Sequence, residues 1–191
     1  MRLPLLIALL MLARLACAMD MAPDSAQQGD IDVSVALDSG EQSGSAHATV
    51  RMRARREVVW ALITSCQEAM GMIPGLLACN VLESAPDGSW QRIRHVMNYS
   101  WYVPTVTYEI RAAYRKPSHV DIERISGDLR ILRGSWDLQS EGEYTVAHYA
   151  VDLAPGFWVP RWVVHAALRR DLPKMLRSLR SRAEAMQAAA H

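Results

Sequence analysis

Few residues in this chain are equipped for covalent or proton chemistry. Beyond position 20 the cysteines are Cys66 and Cys79, enclosing the segment QEAMGMIPGLLA. In an oxidising compartment two such thiols pair, and closing so short a loop stabilises a fold by about 3 kcal/mol when the geometry is unstrained. A disulfide is therefore expected, with two buried free thiols as the alternative. The spacing is not Cys-x-x-Cys, and no second pair of ligands accompanies the cysteines, so neither a thioredoxin-type redox centre nor a metal site is expected.

His95 is the best candidate for proton transfer. It alternates with Ile93, Met97 and Tyr99, so it shares their face, where burial favours the neutral imidazole and lets it act as a base. A hydrogen-bonded structural histidine explains the same position. His148 points opposite to Tyr149, and Glu109 and Arg111 alternate away from Tyr108 and Ile110 and read as solvated. There is no Gly-x-Ser-x-Gly element, dinucleotide fingerprint, P-loop or His-Glu-x-x-His pattern. No catalytic residue is assigned and no cofactor is called for.

The elements that would position these groups follow from hydrophobic period. Ile31 to Leu37 and Ala46 to Ala54 alternate, separated by Asp38-Ser39-Gly40, which predicts a hairpin. Arg56 to Met70 changes to a helical period through Val59, Trp60, Ile63 and Met70, ended by Gly71 and Pro74-Gly75. Six strand candidates follow: Leu76–Glu83, Trp90–Trp101, Val103–Arg115, Val120–Ile125, Leu129–Leu138 and Tyr144–Leu153. Their tight spacing favours antiparallel meander connections, since parallel crossovers need a dozen or more residues. From Pro160 onward Val164, Leu168, Leu172, Met175, Leu179, Ala183 and Met186 form one apolar helical stripe, in which Pro173 predicts a kink. The class is α+β: a curved antiparallel sheet with a long, kinked C-terminal α-helix.

The chain has 191 residues, 50% of them hydrophobic and 21% charged, with a formal charge of +1. That composition excludes a disordered or collagen-like chain and a charge-driven nucleic-acid binder, and it is sized for one core. Arg2, the uncharged run Leu3 to Ala13 and Ala16-Cys17-Ala18 predict a signal peptide over 1–18, cleaved after Ala18, and hence a periplasmic or secreted protein. Residues 19–30 read as a flexible linker. Removing Arg2 and Arg14 changes the net charge to −1, so bulk charge steers the mature chain nowhere. Residues 161–184 do carry seven basic and two acidic side chains. A solvated helix face accounts for them; attraction to an anionic membrane surface is the functional alternative.

The Trp60 helix, Ile73-Pro74-Gly75, Gly134-Ser135-Trp136 and the Pro-Gly, Val-Pro and Asp-Leu-Pro elements at 155, 159 and 171 resemble the START-like (SRPBCC) superfamily. Within it the chain is similar to the bacterial polyketide cyclase/dehydrase and lipid-transport family, related to coenzyme Q-binding START-domain proteins. The resemblance implies a helix-grip fold over residues 31–189. It also implies a hydrophobic ligand, as in lipid and quinone carriers, or a polyketide-like substrate, as in cyclases and aromatases.

A curved sheet is not filled by one straight helix, so its concave face retains a hollow. The expected ligand-binding side chains are Ile93, His95, Met97, Tyr99, Trp101, Val106, Tyr108, Ile110, Trp136, Tyr149, Val164, Leu168 and Leu172. Ala112, Leu138 and Val151 share these faces. Ile73 and Pro74 on one rim, with Phe157, Trp158 and Trp162 on the other, are the expected gate. The reading is a periplasmic monomer that carries or sequesters a lipid, isoprenoid or quinone-like molecule, without a metal or nucleic acid and with transient membrane-surface contact. The alternative is a cyclase or dehydratase in which His95 serves as base.

Overall fold

Alternation becomes strand and helical period becomes helix across a computed structural model that describes residues 31–37, 42–99 and 103–190. The expected leader and spacer, the Asp38-Ser39-Gly40 turn and Trp101 lie outside the described residues. Eight strands form one curved antiparallel sheet: β1 (Ile31–Leu37), β2 (Gly44–Met52), β3 (Leu76–Ser84), β4 (Trp90–Met97), β5 (Val106–Arg115), β6 (His119–Gly127), β7 (Leu129–Glu141) and β8 (Tyr144–Pro155). Their order is β1-β2-β8-β7-β6-β5-β4-β3. The meander β3 to β8 is thus extended by the β1–β2 hairpin, with Ala48 opposite Tyr149 where β2 meets β8.

On β2 the residues Ala46, Ala48, Val50 and Met52 point inward and are at most 5% exposed. The two alanines keep this part of the sheet floor low, so the C-terminal helix can lie close to it. The core is densest here: Val50, Met52, Val59, Leu62, Leu176 and Leu179 are almost wholly buried. Arg53 N–H donates to Glu184 Oε1 at 3.2 Å and Arg55 N–H to Gln187 Oε1 at 3.0 Å, fixing the helix end against the chain that leaves β2.

The helix expected over 56–70 is two helices, α1 (Arg56–Ile63) and α2 (Cys66–Met72). Thr64 Oγ1 turns back to the Trp60 carbonyl at 2.8 Å. Ser65 is extended, and its Oγ accepts from Glu68 N–H at 3.3 Å. Ser65 with Glu68 three residues on is a helix-start signal, so the chain reinitiates there rather than continuing. Gly71 lies inside α2, which ends at Ile73.

The final helix runs as α3 (Arg161–Ala166), a π turn (Ala167–Asp171) and α4 (Leu172–Ala189). The interruption expected at Pro173 takes the form of this wider turn just before it. Pro173 has no N–H for the Arg169 carbonyl, and its ring would press against that carbonyl in an ordinary α turn. Among the described residues no helix is long and apolar enough to cross a membrane.

Candidate functional site

The space that the sheet and final helix leave between them is a cavity of about 220 Å³. Inward residues of β4 to β8 form its floor, α2 and the start of β3 form one wall, and the π turn with the first turns of α4 forms the roof. Of the side chains expected from alternation, Ile93, His95, Met97, Tyr99, Tyr108, Ile110, Trp136, Tyr149, Leu168 and Leu172 line it, as do Ala112 and Val151. Ile73 and Pro74 line it too.

Other expected residues lie elsewhere. Val106 and Val164 are 3% and 4% exposed but are packed into the core outside the lining, as is Leu138. An inward direction determines burial, not access to the hollow. Phe157 packs against the core, while Trp158 and Trp162 are 77% and 54% exposed, and none of the three lines the cavity.

Pattern reading missed the wall supplied by Ser65, Cys66, Ala69 and Met72, because it read α1 and α2 as one helix. It also left out Ile122 and Leu132 on the floor and Asp171 and Met175 on the roof. Signals for these existed: Leu132 alternates with Trp136 through Gly134, and Met175 lies in the same apolar stripe as Leu168 and Leu172.

Cys66 opens α2 and Cys79 lies on β3; they form the expected disulfide, with Cα atoms 5.3 Å apart. The bridge pins α2 to the sheet, and both cysteines face the cavity. The rim beside it needs a glycine. Gly75 has φ +79°, and a Cβ there would stand 2.6 Å from the Asn98 carbonyl oxygen.

Several polar atoms of the lining meet around one sulfur. His95 Nδ1 lies 3.2 Å from Tyr108 Oη, whose hydroxyl donates to Met97 Sδ at 3.2 Å, and the Tyr99 hydroxyl reaches the same sulfur at 3.5 Å. With the Tyr108 proton on Met97, the Tyr108 oxygen accepts from Nδ1–H, leaving the lone pair on His95 Nε2. Trp136 and Tyr149 stack with ring centroids 4.3 Å apart. Burial pushes the His95 pKa down to about 4, so the imidazole is neutral at pH 7. Burial raises Tyr99 to about 12, helped by the Asp171 carboxylate, and raises Tyr108 and Tyr149 as well. The phenols are therefore hydrogen-bond donors and acceptors, not acids. The site is a mostly apolar hollow with a neutral His95–Tyr108 pole on the floor and the Asp171 carboxylate on the roof.

Several proteins of known structure share this architecture. The Zhui aromatase/cyclase from Streptomyces sp. R1128 is 17% identical, with a TM-score of 0.65 over 77% of this chain and 98% of its own. A STAR-related lipid transfer protein from Xanthomonas axonopodis is 20% identical, with a TM-score of 0.67 over 82% and 96%. Human STARD10 is 9% identical, with a TM-score of 0.68 over 83% and 71%. At these identities the likeness is one of fold. No curated protein matches the sequence significantly. The family described as polyketide cyclase/dehydrase and lipid transport matches residues 52–180, and this chain belongs to it.

Proposed function

We propose that this protein binds a compact hydrophobic molecule between the sheet and the C-terminal helix, and carries or sequesters it rather than transforming it. The observation that carries the reading is the cavity itself, whose lining is mostly apolar, with the His95–Tyr108 pair on its floor and Asp171 on its roof as the main polar groups. Its volume of about 220 Å³ falls below the range of about 300–1,000 Å³ common for ligand pockets. It suits a ring-sized group. Each buried CH₂ of the ligand contributes about 0.8 kcal/mol.

The family includes lipid transport in its description, and one structural relative is named as a lipid transfer protein, which supports a lipid-like ligand. Export to the periplasm is part of the proposal, supported by the leader pattern and by a disulfide that an oxidising compartment would maintain. Exposed Trp158 and Trp162, with Arg161 next to Trp162 in sequence, support transient contact with an anionic membrane surface.

Native mass spectrometry of the gently extracted protein tests binding: the expected result is a co-purifying apolar molecule that is lost in Ala112→Phe, which fills the lining. A ligand-free protein whose Ala112→Phe form takes up added lipid as well as wild type does would end the proposal.

The cyclase or dehydratase reading is favoured by one observation, the buried His95–Tyr108 pair facing the cavity. The low pKa of His95 weighs against it, because a base of about 4 accepts a proton poorly near pH 7. His95→Ala separates the two readings: it leaves ligand uptake nearly intact in a carrier and abolishes turnover in an enzyme.

A further inference from the structure

We propose that Cys66, Cys79 and His95, once the disulfide is reduced, form a binding site for a thiophilic divalent cation of the zinc type in the cavity wall. The two sulfurs and a ring nitrogen of His95 all lie within 4.8 Å of one another. Cys79 and His95 are register partners on β3 and β4, and Cys66 is brought to them by the first turn of α2. A long-range strand pairing thus supplies the third ligand that cysteine spacing alone does not reveal.

Tetrahedral zinc holds sulfur at about 2.3 Å and imidazole nitrogen at about 2.0–2.1 Å, which places neighbouring ligand atoms roughly 3.5–3.8 Å apart. Reduction frees the two sulfurs to separate by side-chain rotation, and the imidazole has only a short approach to make. His95 is already oriented for this role: Tyr108 Oη holds Nδ1 at 3.2 Å, the kind of outer contact that fixes a metal-binding imidazole. Two thiolates and one imidazole select zinc-like cations over magnesium or calcium. All three residues line the cavity, so the fourth coordination position faces the hollow and takes water or a ligand oxygen.

The chemistry balances. A dithiol reductant becomes a disulfide while Cys66 and Cys79 each gain a hydrogen, and the incoming cation displaces those two as protons. Cation and disulfide are mutually exclusive, so this wall of the cavity reports the redox state of its surroundings.

Cobalt(II) alone is the probe, added to the full chain reduced with a water-soluble phosphine and freed of metal. The expected result is one Co²⁺ per chain, with thiolate-to-cobalt charge transfer and tetrahedral d–d bands that the oxidised chain does not give. In the reduced state His95→Gln weakens binding by at least about a hundredfold, and Tyr108→Phe, which removes only the orienting contact, by about tenfold. Circular dichroism confirms that each variant is folded. No cobalt spectrum in the folded reduced chain, equal binding by the oxidised chain, unchanged binding in His95→Gln, or unfolding on reduction would each overturn the proposal. None of these outcomes depends on whether the cavity also takes an apolar ligand.

Discussion

The two faces of the sheet use the same strands for opposite chemistry. On β4 and β5 the inward side chains are Ile93, His95, Met97, Tyr108 and Ile110, all buried around the hollow. The alternate residues Arg92, Arg94 and Glu109 form a charged clamp on the other side, Arg94 Nε reaching Glu109 Oε1 at 3.0 Å and Arg92 Nε reaching Oε2 at 2.9 Å. Glu109, which alternation alone presents as solvated, is only 7% exposed because both guanidinium groups cover it; their hydrogen bonds hold its carboxyl below the usual range. Further along, strand register aligns Asp32, Thr49, His148, Asp137, His119 and Arg115 in one row across the convex face. The lesson is that face, more than residue type, determines charge state: His95 is neutral inside, whereas outside Asp137 and Asp121 favour the cation of His119.

The largest difference between the faces is in stability. Leu176→Ala deletes a wholly buried side chain on the helix above the concave face and should cost about 2–5 kcal/mol. His47→Ser, at an exposed position on the convex side of β2, should stay within about 0.5 kcal/mol. Urea denaturation measures both, and similar costs for the two would break the distinction between a packed face and a solvated one. Reducing Cys66–Cys79 should cost about 3 kcal/mol by releasing a short closed loop in the unfolded chain. A smaller shift in the urea midpoint than that would mean the bridge constrains the chain little.

How much of this was legible from sequence divides along the same lines. Strand alternation is local, so the inward set Ile93, His95, Met97, Tyr108 and Ile110 was readable without knowing what lay across from it. The C-terminal stripe from Val164 to Ala183 was readable for the same reason, although Met186, read as its last member, is 45% exposed. The partners were not: β2 pairs with β8 across about a hundred residues, and Glu109 is buried by arginines on a neighbouring strand. Periodicity also runs straight through a helix break, and only the Ser65–Glu68 capping signal marks where α1 and α2 divide. Hence the floor was mostly anticipated, while the α2 wall and the π-turn roof were not.

Titration sharpens the contrast inside the core. The His95 pKa is about 4 when folded against a reference of 6.5, so between those values the unfolded chain binds more protons and stability rises with pH. The contribution is complete above pH 6.5 and is lost as pH falls toward 4, by about 3 kcal/mol. Chemical denaturation across this window should show that slope in wild type and lose most of it in His95→Gln. A wild-type profile without the slope would mean that the imidazole is not desolvated.

The convex histidine should act in the opposite direction and more weakly. Burial lowers the His119 pKa, but hydrogen bonds and charge from Asp137 and Asp121 outweigh it, so the folded value lies above 6.5. Its contribution is complete below pH 6.5 and is lost as pH rises through the folded value. Both carboxylates are about half exposed, which screens the interaction and keeps the effect small. Wild-type stability should therefore decline gently as pH rises above 6.5, and His119→Gln should remove that decline while leaving the acid-side slope of His95 intact. Two histidines on opposite faces would then give opposing slopes that meet near their common reference value. Loss of both slopes in the single His119 variant would show that the faces are coupled through the sheet rather than titrating independently.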